Sequence, residues 1–93
     1  MSRFETRKRA IKSDPATLDF ASIAAGADDE LTVTVPDAAI GDPVIVAPPA
    51  TLEAGLAVTA FVSAADTVTI RLVNATASPI DPASGAWTVA IIK

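Results

Sequence analysis

The chain has 93 residues, 51% of them hydrophobic, a mean hydropathy of +0.45 and a formal net charge of −4. That length holds one domain, and the absence of Cys and His excludes disulfides, thiolate zinc sites and nucleophilic catalysis with a His base. The charge is divided: residues 1–12 hold five basic residues against Glu5, a net +4, whereas residues 13–93 hold two against ten acids, a net −8.

The basic segment comes first. Ser2 and Glu5 form an S-x-x-E capping box ahead of TRKRAIK, with Phe4, Lys8 and Ile11 along one helical side. An isolated helix of about ten residues is marginal in water, so a flexible N-terminal arm, frayed until it docks, is expected. The candidate attachment residues are Arg3, Phe4, Arg7, Lys8, Arg9, Ile11 and Lys12: cations for an acidic protein surface, with Phe4 and Ile11 buried on docking. A solubilising tail is the second reading. Nucleic-acid binding ranks last, because the acidic body repels a duplex. Asp14-Pro15 breaks the helix and divides the chain into an arm, 1–15, and a domain, 16–93.

Beyond Pro15 the pattern has period two. TLDFASI (17–23) alternates, AAGADDE (24–30) reads as a turn region, and LTVTV (31–35) is the cleanest strand. Pro36-Asp37 and Gly41-Asp42-Pro43 are turn signals on either side of the next loop, and VIVA (44–47) is a short strand stopped by Pro48-Pro49. ATLEAG (50–55) reads as one helical turn ended by Gly55. LAVTAFVS (56–63) and TVTIRLVN (67–74) make a hairpin over Ala64-Ala65-Asp66. A Pro-containing loop (75–85) then leads to the closing strand AWTVAIIK (86–93). Six short strands separated by turns predict an all-β fold, a small antiparallel β-sandwich or jelly-roll-like barrel.

Alternation assigns Leu31, Val33, Val35, Val58, Val62, Val68, Ile70, Leu72, Trp87, Val89 and Ile91 to the inward face. The opposite face carries Phe61, Val73 and Ile92 beside Thr59, Thr69 and Arg71, so it is less polar than a solvated face. Either a sandwich covers both faces or a neighbouring subunit meets the second one. A small apolar chain without staples commonly completes its burial in a partner. Phe61, Val73 and Ile92 are therefore the expected residues of a homo-oligomer interface.

Chemistry is sparse. Asp28-Asp29-Glu30 is the densest acidic group, but it lacks the alternation of a calcium loop, and four scattered glycines form no phosphate loop. A lone Trp87 on an alternating strand reads as core rather than as a sugar platform. NAT (74–76) matches a glycosylation sequon, which without a signal peptide has no meaning. No stretch is apolar for the length of a membrane span. No enzyme, no metal and no cofactor are expected.

The segment from LDFASIAAG through GDPVIVAPPATLEAGL to FVSAADTVTIRLVNATASPIDPASGAWTV resembles a small domain of tailed-bacteriophage virion proteins, over residues 18–93. The resemblance implies a capsid decoration (cement) or head-fibre protein, made in the host cytoplasm and located on the virion. It also implies a homotrimer, with the major capsid protein or another virion protein as partner. A receptor-binding or fibre-tip module and a small acidic inhibitor are the alternatives. The arm at 1–13 lies outside the matched segment.

Overall fold

Seven strands alternate with turns in a computed structural model, which describes residues 10–13 and 15–93. They are β1 (Ala10–Lys12), β2 (Ala16–Leu18), β3 (Asp28–Thr34), β4 (Val44–Ala47), β5 (Leu56–Ala64), β6 (Thr67–Asn74) and β7 (Gly85–Ile92). Each of the longer ones is a run of β-branched or aromatic residues bounded by Pro, Gly or Asp, which favours the pleated conformation between turns. The strands build two antiparallel sheets packed face to face, the expected small β-sandwich.

One sheet is β3-β6-β5, with β6 central; Val33 lies opposite Val68 and Val62 opposite the same residue on the other side. The hairpin between β5 and β6 turns at Ala65-Asp66, with a register irregularity between Val62 and Ala64. Asp66 adopts φ 61° and Asp37 φ 72°, a region that Asp tolerates because its short side chain bonds locally. Here the Asp66 carboxylate accepts the Asp37 amide at 2.9 Å, which ties the hairpin to the turn after β3.

The other sheet is centred on β7. β1 and β2 run along one of its edges and β4 along the other. Lys12 lies opposite Ala90 but Ala16 opposite Trp87, so the register along β7 shifts by one residue between β1 and β2. Ser13 bridges the break: its amide donates to the Val89 carbonyl at 2.7 Å and its hydroxyl accepts the Val89 amide at 3.1 Å.

The core lies between the sheets. Val33, Val35, Val62, Val68, Ile70, Leu72, Trp87, Val89 and Ile91 are buried as alternation predicts, while Leu31 and Val58 are half-buried against them. Phe20, Ile23 and Ala38 join this core from segments outside the strands. Trp87 packs on Phe20 with ring centroids 5.6 Å apart and planes tilted by 60°, the offset that aromatic quadrupoles favour.

Four local expectations are corrected. Ala10–Lys12 is a strand rather than the end of a helix, because hydrogen bonds from β7 are available to it and Ile11 has the core to enter. Asp28–Glu30 belongs to β3 rather than to a turn, since β6 continues far enough to pair with it. The strand read over 17–23 stops at Leu18, and Ile23 makes only an isolated bridge to Ile80. Residues 50–55 hold turns, not a helical turn: the Leu52 amide bonds the Pro49 carbonyl at 3.1 Å and no helix follows.

Candidate functional site

Two sheets leave two outward faces and the edges between them, and the residues expected to make contacts are distributed over all three. Strand alternation fixes each face.

The outward face of the β7 sheet carries Ile45 and Ala47 from β4, Ala86, Thr88, Ala90 and Ile92 from β7, Ala10 and Lys12 from β1, and Thr17 from β2. Ile45 is 58% exposed. Six of these nine side chains are apolar, four of them Ala, and Lys12 is the single charge. Small side chains keep this face low, and it lacks the acids that dominate the rest of the body. At its rim Lys93 Nζ meets Asp42 Oδ2 at 2.9 Å. The hydrogen bond from Lys93, together with one from the Ala39 amide, holds the Asp42 carboxyl below the usual carboxylate range.

The outward face of the β6 sheet is different in kind. It presents Asp28, Glu30, Thr32 and Thr34 from β3, Thr67, Thr69, Arg71 and Val73 from β6, and Ala57, Thr59 and Phe61 from β5. Arg71 is its centre. The guanidinium bonds Glu30, approaches Asp28 at 3.6 Å, and lies 5.5 Å from the centroid of the Phe61 ring. Thr69 is buried here and donates to the Ser63 hydroxyl at 2.7 Å.

The third feature is an open edge. β4 lies beside β5 and closes one side of the sandwich. On the other side a groove of about 600 Å³ separates β1 and β2 from β3, lined by Lys12, Ser13, Pro15, Ala16, Thr32, Val33, Thr34 and Pro36.

Against these surfaces the expected site residues fall as follows. Arg3, Phe4, Arg7, Lys8 and Arg9 lie outside the described residues. Ile11 points inward and packs against the core, so it is not available to bury in a partner, whereas Lys12 points outward. Phe61 and Val73 share the outward face of the β6 sheet, but Ile92 is on the opposite side of the molecule. The three do not form one patch. The missed residues of the β7 face are Ile45 and the alanines, and their signal was present in VIVA, which is apolar at both parities.

The remaining motifs resolve as structure. Asp28 and Glu30 engage Arg71, and the Asp29 carboxylate accepts the Ala21 and Glu30 amides. Asn74 of the sequon is fully buried, with both amide hydrogens and its oxygen bonded within the chain. Trp87 is core. No group of three or more potential metal ligands exists among the described residues. Comparison with protein-family models, with curated proteins and with solved structures returned no match, so none of them bears on the resemblance to phage virion domains.

Proposed function

We propose that the chain is a non-enzymatic structural protein of a bacteriophage virion, a decoration or head-fibre component that adheres to the capsid or to another virion protein. The observation that carries this reading is the outward face of the β7 sheet, where Ile45, Ala47, Ala90 and Ile92 make a low apolar surface with one cation on an otherwise acidic body. Exposed contiguous apolar surface on a small domain marks a contact with another protein. The sequence resemblance over residues 18–93 names the kind of partner.

One observation favours the receptor-binding alternative. Phe61 is exposed beside an Arg71 held by two carboxylates, and an aromatic ring flanked by fixed polar groups is the composition of a recognition patch. Copy number separates the two. Quantifying the protein in purified virions is expected to give a number comparable to the capsid lattice. A count confined to one vertex or tip would replace decoration with receptor binding, and absence from virions would overturn both.

A further inference from the structure

We propose that the turn of residues 39–42 is a second point of attachment, at which Ile40 enters an apolar pocket with a basic rim on the virion protein that this chain binds. The inference rests on the adhesive reading of the chain and adds a contact that the β7 face does not contain.

Ile40 is 74% exposed, more than Ile45 or Phe61, the other large apolar side chains in the open. Local structure does not call for it. The Asp42 amide donates to the Ala39 carbonyl at 3.0 Å, and Gly41 has a φ of +101° while Ile40 is not among the residues of positive φ. This is a type II turn with Ile40 as its second residue, a place that favours Pro. Ile, being β-branched, is at home in strands.

A single apolar side chain on a loose loop needs no explanation. This loop is fastened at both ends. Before the turn, Ala38 is buried, its amide donating to the Val35 carbonyl at 3.1 Å and its carbonyl accepting the Asp66 amide at 2.9 Å. Within it, Asp42 Oδ2 accepts the Ala39 amide at 3.0 Å and meets Lys93 Nζ at 2.9 Å. After it, the Pro43 carbonyl accepts the Ile92 amide at 3.1 Å. A side chain presented by a fixed backbone loses little freedom on contact, which is what an anchor residue requires.

Charge describes the pocket. Asp37, Asp42 and Asp66 belong to the turn and its supports, and among the described residues only Lys93 pairs with any of them. Asp37 and Asp66 are exposed and form no ion pair there. Seating Ile40 brings these carboxylates against the rim of its pocket, so a basic rim attracts the turn and an acidic one repels it. A second copy is a poor source of that rim. Residues 13–93 hold two basic residues against ten acids, and both, Arg71 and Lys93, are already paired.

Co-sedimentation of the full-length protein with purified empty capsids, beside a thermal melt of each variant, tests the contact. Ile40→Ser suits the turn and removes the apolar group. Its binding should fall by at least about ten-fold, the scale of burying one large apolar side chain, with the melting temperature within a few degrees of native. Ile40→Leu should stay within about three-fold of native, since it conserves volume. Asp37→Asn removes a charge and tolerates the φ of 72°. It should bind about two- to five-fold less at low salt, and the difference should fade near 1 M salt, where screening acts over about 3 Å.

Loss of binding in Ile45→Lys with none in Ile40→Ser would overturn this contact and keep the β7 face. Unchanged or tighter binding by Asp37→Asn would exclude the basic rim. If Asp37→Asn has no effect once Arg7, Lys8 and Arg9 are all changed to Gln, the carboxylates serve the chain's own arm and the proposal fails. It fails also if the native protein is an oligomer that Ile40→Ser dissociates, for then a second copy holds Ile40. Native protein that does not bind capsids would remove the adhesive reading and this contact together.

Discussion

The Asn74 amide donates to the Ile23 carbonyl at 3.0 Å, across 51 residues of sequence. The same nitrogen donates to the Ser78 carbonyl at 2.8 Å, while Oδ1 accepts the Thr76 amide at 2.9 Å and the Thr76 hydroxyl at 2.7 Å. All four hydrogen-bonding positions of a primary amide are used. One buried side chain therefore fastens the end of β6 both to the loop that follows it and to the loop between β2 and β3.

Asn74→Ala is expected to destabilise the fold by about 2–4 kcal/mol, because the amide and carbonyl groups it serves lose a partner in a buried setting. Urea unfolding of the two proteins measures the difference. Asn74→Asp should lose more, since it removes both donors and places a carboxyl among carbonyl oxygens. A loss below 0.5 kcal/mol in both variants would show that water replaces the amide.

Gly55 supplies a second test at the same loop. Its φ is +93°, and an added Cβ would run into Thr76 Cγ2. Gly55→Ala should therefore lower stability by about 2–4 kcal/mol, from backbone strain and overlap together. Thr76→Ser removes the methyl group and keeps the hydroxyl that donates to Asn74 Oδ1 and accepts the Ser78 amide. In that background Gly55→Ala should lose roughly half as much, the strain alone remaining. Thermal melts of the four proteins form the cycle, and an unchanged loss would place the whole effect in φ.

Asp42 gives the fold a pH dependence of known sign. Its folded carboxyl titrates below its ordinary value, through the Lys93 hydrogen bond first and the Ala39 amide second. Stability from a depressed carboxyl is present above its unfolded pKa, about 3.9, and is lost as pH falls through the lower folded value. Native protein should therefore melt above Asp42→Asn at neutral pH, with the gap closing in acid below the ordinary carboxylate range. Melting curves from pH 7 to pH 2 test this, and a gap that persists at the acid end would exclude the linkage.

The two outward faces predict opposite responses to charge. Ile45→Lys should reduce co-sedimentation with empty capsids by at least about ten-fold, the scale of burying one large apolar side chain. It should leave the melting temperature within a few degrees, because Ile45 is already exposed. Phe61→Lys, on the opposite face, should leave capsid binding unchanged. The reverse pattern would move the adhesive surface to the β6 sheet.

Much of this was legible in the sequence. Period two in LTVTV, LAVTAFVS, TVTIRLVN and AWTVAIIK specifies strands and their buried parity, since a strand's side chains alternate whatever it pairs with. The Ala65-Asp66 turn and its hairpin are local in the same sense. The helical reading of Ala10–Lys12 failed because helix propensity is weak and β7 offered a ladder to pair with. Asp28–Glu30 differs from its local pattern for a similar reason: acids look like a turn until a partner strand is known to extend past them.

The chain by itself thus determined its class, the strand count of its described residues to within one and most of its core, because these follow from spacing along one segment. Which outward residues share a surface was decided only by the fold. Phe61, Val73 and Ile92 have the same outward parity, yet Phe61 and Val73 lie on one sheet and Ile92 on the other, and parity carries no information about which sheet a strand joins. The buried role of Asn74, the Ile45 surface and the open edge of β3 likewise depend on residues distant in sequence coming together. Non-local pairing sets such contacts, and a period of two residues does not encode it.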